Sequence, residues 1–434
     1  MSEKESGVRS QESGAQAQDF STTPSSDSDT RSPKEVAASP SSFILYPSSF
    51  SSLRIVVFGY VVRGPLGGLA WHHLQYVLGL ARLGHDVCFV EDSDDYPACY
   101  DPAQNAVGTD PTYGLKFAAD AFERLGLGRR WAYHDAHASH WRGPFAESIL
   151  DFCTSADLLL NLSGVNPLRP WLSKIPARAF VDTDPAFTQI RHLTDTAARE
   201  LATQHTAFFS FAENINSATS LVPDDGFAWQ PTRQPVVLDA WPVTPGRPDG
   251  KWTTVMQWDS YAAREYGGRR YGMKSESFGE FMDLPRIAGS IFELALGSAT
   301  APRALLEDKG WLLRDPLEVT RDLWTYQRYL QESKAEFGVA KHGYVVSRSG
   351  WFSERSAAYL ASGRPVLVQE TGFSSWLPAG TGLIAFGTLD EALAGIEEIN
   401  SRYDFHSRAA RDVAEEFFDS RKVLPRLIER ALNT

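Results

Sequence analysis

The chain has 434 residues, 43% of them hydrophobic, enough for two or three domains with real cores. Its net charge of −12 argues against a nucleic-acid partner, because neutralising phosphates needs a basic face. The three cysteines, Cys88, Cys99 and Cys153, form neither a CxxC pair nor a zinc spacing and fit a reducing cytoplasm, and no apolar run reaches the ~18 residues that span a bilayer.

Residues 1–52 are rich in Ser, Asp, Glu and Pro and nearly free of large apolar side chains, so a disordered tail is expected there. Order begins with LRIVVFGY, Leu53 to Tyr60, which reads as a buried strand. The turn RGPLGG follows, then a helix with Leu74, Val77, Leu78 and Ala81 on one face, then a second strand over His85 to Asp92. Strand, glycine turn, helix and strand in this order make the opening unit of a doubly wound sheet. Further strands read at Asp157–Ser163, Arg178–Asp184 and Thr206–Asn214. A proline-rich stretch, Phe227 to Lys251, reads as the connection to a second lobe. A new alternating series runs through WTTVMQW, GSIFELALG, GWLLRD, YVVS, RPVLVQE and GLIAF, and charged amphipathic helices close the chain from about Leu389 to Leu432. The fold class expected is α/β, with two Rossmann-like doubly wound domains, residues 53–240 and 241–420, facing across a cleft, and a C-terminal helix over 421–434.

Four stretches carry candidate chemistry. In GPLGGLAWHHL, Gly67 and Gly68 permit close backbone approach ahead of a helix N-terminus, without the spacing of a dinucleotide or P-loop motif. His72 and His73 occupy successive helical positions, so only one can face the cleft, and His72 is a candidate base set against an ordinary surface histidine. In FVDTDPAF, Asp182 and Asp184 end a strand on one face. Asp182 is a candidate base or acceptor contact, and Asp184 is either an acceptor contact or a helix cap before Pro185. In YGMKSESF, Lys274 is a cation placed just after the first strand of the second lobe, set against a solvated loop lysine. The densest stretch is GWFSERSAAYLASGRPVLVQETGF, Gly350 to Phe373. Ser353 suits the N-cap of a helix whose free N–H groups favour an anion, Arg355 offers a fork for phosphate oxygens, and Glu354 suits ribose hydroxyls. Thr371, Gly372 and Phe373 form a glycine turn after the next strand, aimed at the same place.

Together these stretches carry a resemblance. GGLAWHHLQYVLGLARLGHDVCFVED resembles the opening of GT-B glycosyltransferases, and SERSAAYLASGRPVLVQETGFSSWLPAGTGLIAF is similar to their nucleotide-sugar-binding half; the likeness covers residues 53–434. It implies transfer of a hexose from a nucleoside-diphosphate sugar, UDP- or GDP-linked, to a hydroxyl of a small molecule or glycan, without a metal or further cofactor. It implies that Ser353, Glu354, Arg355 and Thr371 to Phe373 border the donor, that Lys274 and Lys341 or Arg348 supply cations, and that the first lobe faces the acceptor. DTD at 182–184 matches a metal motif in its letters only. The chain departs from the pattern at Gly350 and Ala358, where many retaining members carry two glutamates. A nucleotide-sugar epimerase or phosphorylase, or a non-catalytic nucleotide-sugar-binding protein, are the alternatives. Peripheral membrane contact through an apolar patch is compatible with the sequence.

Overall fold

The computed structural model describes residues 51–434, so the tail expected over residues 1–52 lies outside the described residues except for Ser51 and Ser52. The first lobe is an eight-stranded sheet. In chain order its strands are β1 (Arg54–Phe58), β2 (Asp86–Asp92), β3 (Trp131–Asp135), β4 (His140–Arg142), β5 (Leu158–Leu162), β6 (Ala177–Asp182), β7 (Ala207–Ser210) and β8 (Trp229–Pro231). They lie in the order β8-β7-β6-β5-β1-β2-β3-β4, and all neighbours are parallel except the β3–β4 edge pair. The runs RIVVF and LLLNL are apolar on both faces because helices cover both sides of a parallel sheet.

The second lobe is a six-stranded parallel sheet of β9 (Trp252–Gln257), β12 (Phe292–Gly297), β13 (Leu312–Arg314), β14 (Ala335–Gly338), β15 (Val366–Gln369) and β16 (Leu383–Phe386). Between β9 and β12 an antiparallel hairpin, β10 (Arg264–Tyr266) and β11 (Arg269–Tyr271), leaves the sheet. The lobe order is β13-β12-β9-β14-β15-β16. The sequence reading misassigned one element here. YVVS is not a strand but the end of the helix His342–Ser347, and the strand is the preceding buried AEFG. A β-branched pair half-exposed on a short helix outweighed a four-residue strand with no alternation to betray it.

In each lobe the first strand lies inside the sheet, and the chain winds outwards from it in both directions. The order therefore reverses between β1 and β5 in the first lobe and between β9 and β14 in the second. Ligands of open α/β sheets bind at such switch points, beyond the carboxyl ends of the strands. Near its end the chain returns from the second lobe to the first. The hinge pairs with the returning chain through a parallel bridge of Val236 to Asp419. Helix α1 (Gly67–Arg82) is then covered by the closing helix Ser420–Leu432, which packs back on α1, β5 and β6 of the first lobe.

Candidate functional site

The loop after β1 is built by one carboxylate. Glu91, fully buried at the end of β2, accepts hydrogen bonds from the backbone N–H groups of Val61, Val62 and Arg63 at 2.6, 2.7 and 2.7 Å. The Arg63 side chain donates to Asn166 at 2.9 Å, and Asn166 in turn donates to the Gly59 carbonyl at 2.8 Å. Sequence reading passed over Glu91, because VED at a strand end looks like a solvated rim.

This loop delivers α1 against the second lobe. A Cβ on Gly67 would stand 2.3 Å from the Asp322 carbonyl oxygen, at the start of helix α2 (Leu323–Glu332), and one on Gly68 would stand 3.1 Å from the Tyr326 ring. The glycines thus serve lobe-to-lobe contact; Gly68 also lines a recess between the lobes, with Trp71, His72, Gln75, Glu354 and Arg355. Of the paired histidines His73 is fully buried, bonded to the Leu69 carbonyl at 2.8 Å, whereas His72 lines the recess. Its Nε2 has no hydrogen-bond partner, and burial holds the imidazole below its ordinary pKa while the Glu354 charge opposes that shift.

Asp182 does not face the cleft. It is 0% exposed, and its two oxygens accept from Asp184 N (2.9 Å), Thr188 Oγ1 (2.7 Å), Gln189 Nε2 (3.2 Å) and Ser210 Oγ (2.7 Å). Burial pushes its carboxyl pKa up and the four donors oppose this. The base expected at Asp182 is therefore corrected to a carboxylate that ties β6 to the turn after it. That turn passes through Ala186 at φ 68° and ψ −48°, a conformation costing about 1–3 kcal/mol for an L-residue.

Asp184 is not the helix cap either. Helix α3 (Phe187–Thr194) starts three residues later, and the Gln189 side chain satisfies Ala186 N at 2.7 Å. The Asp184 carboxylate instead reaches the second lobe, accepting from the hydroxyls of Tyr261 and Tyr344 and from Lys341 Nζ at 2.9 Å. Lys341 is also 2.9 Å from the Tyr261 oxygen and lies 4.4 Å from the Tyr261 ring centroid. The expected donor cation is thus already engaged with the acceptor lobe.

Lys274 opens a short helix beyond β9, and Lys341 stands at the carboxyl end of β14, so the two flank the switch point. The Lys274 amine makes no hydrogen bond or ion pair among the described residues. Burial, with Arg355 and Lys341 adding like charge, lowers its pKa to about 7.

Ser353 caps helix α4 (Glu354–Ala361) as expected, its Oγ accepting from Arg355 N at 3.2 Å, and Gly363 at φ 71° ends it. Arg355 is less free than the sequence implies. Its Nε donates to the buried Glu336 at 2.6 Å and its Nη1 to the Val255 carbonyl at 2.9 Å, which leaves Nη2 for a ligand; burial works against the charge, but Glu336 above all outweighs it and raises the pKa. Glu354 is exposed and makes no hydrogen bond among the described residues.

The remaining expectations divide. Arg348 has a left-handed backbone (φ 50°) and an exposed side chain without hydrogen bonds. Phe373 is 1% exposed and packs on Phe352, so it is core rather than a contact. Thr371 bonds the Trp351 carbonyl through its hydroxyl, and the Gly372 carbonyl accepts from Asn214 Nδ2 at 2.9 Å. Asn214 comes from the first lobe, donates its own N–H to the Ser349 carbonyl at 3.0 Å, and was not singled out from sequence. It also explains one missing glutamate: a Cβ at Gly350 (φ 75°) would lie 2.8 Å from the Asn214 Cγ.

No protein-family model matches the chain, and no curated protein does. Solved structures do. An alpha-glucosyltransferase in complex with UDP-glucose and DNA containing an abasic site superposes with a TM-score of 0.56 at 11% identity, over 88% of this chain and 100% of the other. An alpha-glucosyltransferase in complex with UDP gives 0.51 at 12% identity over the same shares. A further alpha-glucosyltransferase complex, with UDP and a 13-mer DNA containing a HMU base, gives 0.56 at 12% identity. The chain therefore has the two-lobed GT-B fold of these glycosyltransferases. The comparison also overturns one expectation. Structures of this fold are bound to DNA, so the net charge of −12 does not exclude a nucleic-acid partner. The physical reason is that a net charge is a sum over the whole chain and does not report the local surface that would meet a phosphate backbone. Among the described residues no helix is long and apolar enough to cross a membrane.

Proposed function

We propose that the chain is a glycosyltransferase that moves a sugar from a nucleoside-diphosphate sugar to an acceptor hydroxyl. One observation carries this reading: Lys274 is a cation without a partner, beside Arg355 and Lys341, at the switch point of the second lobe. Leaving an amine there is costly unless an anion arrives, and a diphosphate beyond the strand ends supplies it. The same charges then stabilise the leaving diphosphate as the glycosidic bond breaks. Across the recess, His72 with an unpartnered Nε2 suits removal of the acceptor proton, and Glu354 suits stabilisation of the imidazolium that results. The Asp184–Lys341 contact suits closure of the acceptor lobe over the donor. The acceptor hydroxyl belongs to a small molecule, a glycan or a nucleic acid, the last because neighbours of this fold are bound to DNA. Three free, buried cysteines support a cytoplasmic setting.

The test is thermal unfolding of the purified chain with UDP, GDP and their sugar conjugates. A ligand at 100 times its Kd stabilises by about 2.7 kcal/mol. A shift with one nucleotide, lost in Lys274→Met, supports the donor site; no shift with any nucleotide sinks the reading. Release of labelled sugar to an acceptor, rather than epimerisation or phosphorolysis, separates the transferase from its alternatives.

A further inference from the structure

Helix α3 presents one face to the second lobe. Phe187 packs with ring centroids 5.3 Å from Tyr261 and 5.9 Å from Tyr344, and Ile190 is 1% exposed in the same apolar cluster. Arg191, four positions after Phe187 and next to Ile190, therefore lies on that face as well. Its Nε is buried without a partner, and the guanidinium makes no hydrogen bond or ion pair among the described residues. Its electrostatic neighbours are Asp184, Asp182, Tyr261 and, more weakly, Asp195.

Asp195 caps the following helix, accepting from the Ala197 and Ala198 N–H groups, and the two nearer carboxylates are engaged as well. Asp182 already accepts from four neutral donors, and Asp184 from two hydroxyls and Lys341. On the other side of the cleft, Arg355 is paired with Glu336 and Lys341 with Asp184. Among the described residues Lys274 and Arg191, one from each lobe, are largely sequestered cations without a hydrogen-bonded partner, whereas Arg348, also unbonded, is exposed. The Asp184–Lys341 pair stands between them: Arg191 feels the Asp184 charge and Lys274 that of Lys341. Burial that seals Nε from water without an acceptor is costly, and the outer guanidinium nitrogens, which are not sealed, stay open to an arriving anion.

We infer that Arg191 is a substrate-binding residue, the acceptor lobe's own contribution to the donor diphosphate. It donates its fork to phosphate oxygens that Lys274 and Lys341 meet from the opposite side. The assignment rests on the donor-site reading above. Its consequence is that diphosphate binding draws α3, and with it the acceptor lobe, onto the donor.

The experiment compares the wild-type chain with R191Q and R191K, measuring unfolding temperature without ligand and affinity for UDP and GDP by calorimetry. R191Q is expected to unfold no lower than wild type without ligand, since it removes an unsatisfied charge, and to bind the nucleotide at least tenfold more weakly. R191K, which keeps the charge but not the fork, is expected to fall between the two. Equal nucleotide affinity in wild type and R191Q overturns the assignment and leaves the donor site standing. A ligand-free R191Q that unfolds well below wild type with unchanged affinity also overturns it, because Arg191 is then structural. Should the wild-type chain bind neither nucleotide, the donor-site reading and this inference fall together.

Discussion

Lys274→Met is the substitution whose outcome the structure dictates most directly. The Lys274 amine titrates at about 7, against 10.5 for a free lysine. That difference of about 3.5 units corresponds to roughly 5 kcal/mol of penalty for holding the charge. The side chain keeps some contact with water, so a gain of about 2–4 kcal/mol is expected when methionine replaces it. At about 2.1 cal/mol/K per residue, the roughly 380 described residues give about 0.8 kcal/mol/K, so the unfolding temperature rises by about 3–5 °C. The pH dependence fixes the sign. Below pH 7 both native and unfolded chains hold the proton, and the penalty is complete. Between pH 7 and 10.5 the unfolded chain binds more protons than the native one, so wild-type stability gains relative to the variant and the two converge. A diphosphate reverses the shift by pairing the amine, so nucleotide binding takes up a proton above pH 7. Wild-type affinity then falls by up to tenfold per pH unit above that point, whereas the variant binds more weakly and without this slope. Thermal unfolding from pH 6 to 10, with titration calorimetry in buffers of different ionisation heat, reads both effects. A variant less stable than wild type at pH 7, or one that keeps the wild-type pH slope, refutes the argument.

Three further outcomes follow from the cleft. Asp182→Asn turns an amide N–H₂ towards donors that now bond an oxygen, and is expected to cost about 2–4 kcal/mol in urea unfolding, with turnover per folded molecule little changed; an intact fold with abolished turnover would restore Asp182 as a base. His72→Phe is expected to lower transfer by about 10²–10⁴ with the nucleotide-induced thermal shift preserved. Because burial holds the wild-type imidazole below its ordinary 6.5, transfer should fall off only on the acid side of that value, and a limb at higher pH would assign the proton to another group. Glu91→Ala strands three buried backbone N–H groups, so a loss of more than about 3 kcal/mol and new proteolysis across residues 59–66 are expected; resistance equal to wild type would show the loop held by other means.

The sequence carried the strands that are apolar runs bounded by Gly, Pro or charge, but not Trp131–Asp135, His140–Arg142, Trp229–Pro231 or Ala335–Gly338, which are short or polar, and it carried the α4 helix because Ser353 and Gly363 mark its ends. It failed where a residue's role depends on what lies across the cleft. Asp182 and Asp184 alternate on one strand end and look equivalent, yet one is sealed beneath Ser210 and the other bonds Lys341, because the chain turns at Ala186 between them and the helix. Gly67 reads as a ligand-hugging glycine, but the backbone it approaches is that of Asp322, 255 residues further on. Asn214 carries no local signal at all, since its partners at Arg348, Ser349 and Gly372 belong to the other lobe.

Whole-chain charge misled for a related reason. A net charge of −12 is a sum over the surface, while the cleft is decided by a few groups whose desolvation multiplies their effect. Glu336, buried beside Arg355, spends its charge on one cation, and Asp184 spends its own on Lys341. Each pairing fixes the geometry of a donor-site residue without adding charge, and each brings elements from distant parts of the chain into register. What stays without a hydrogen-bonded partner is Lys274 in one lobe and Arg191 in the other, each beside the Asp184–Lys341 contact that joins the lobes. A diphosphate bound at that contact satisfies both, so ligand binding and the approach of the two lobes become a single equilibrium, and a substitution at either cation should weaken both together.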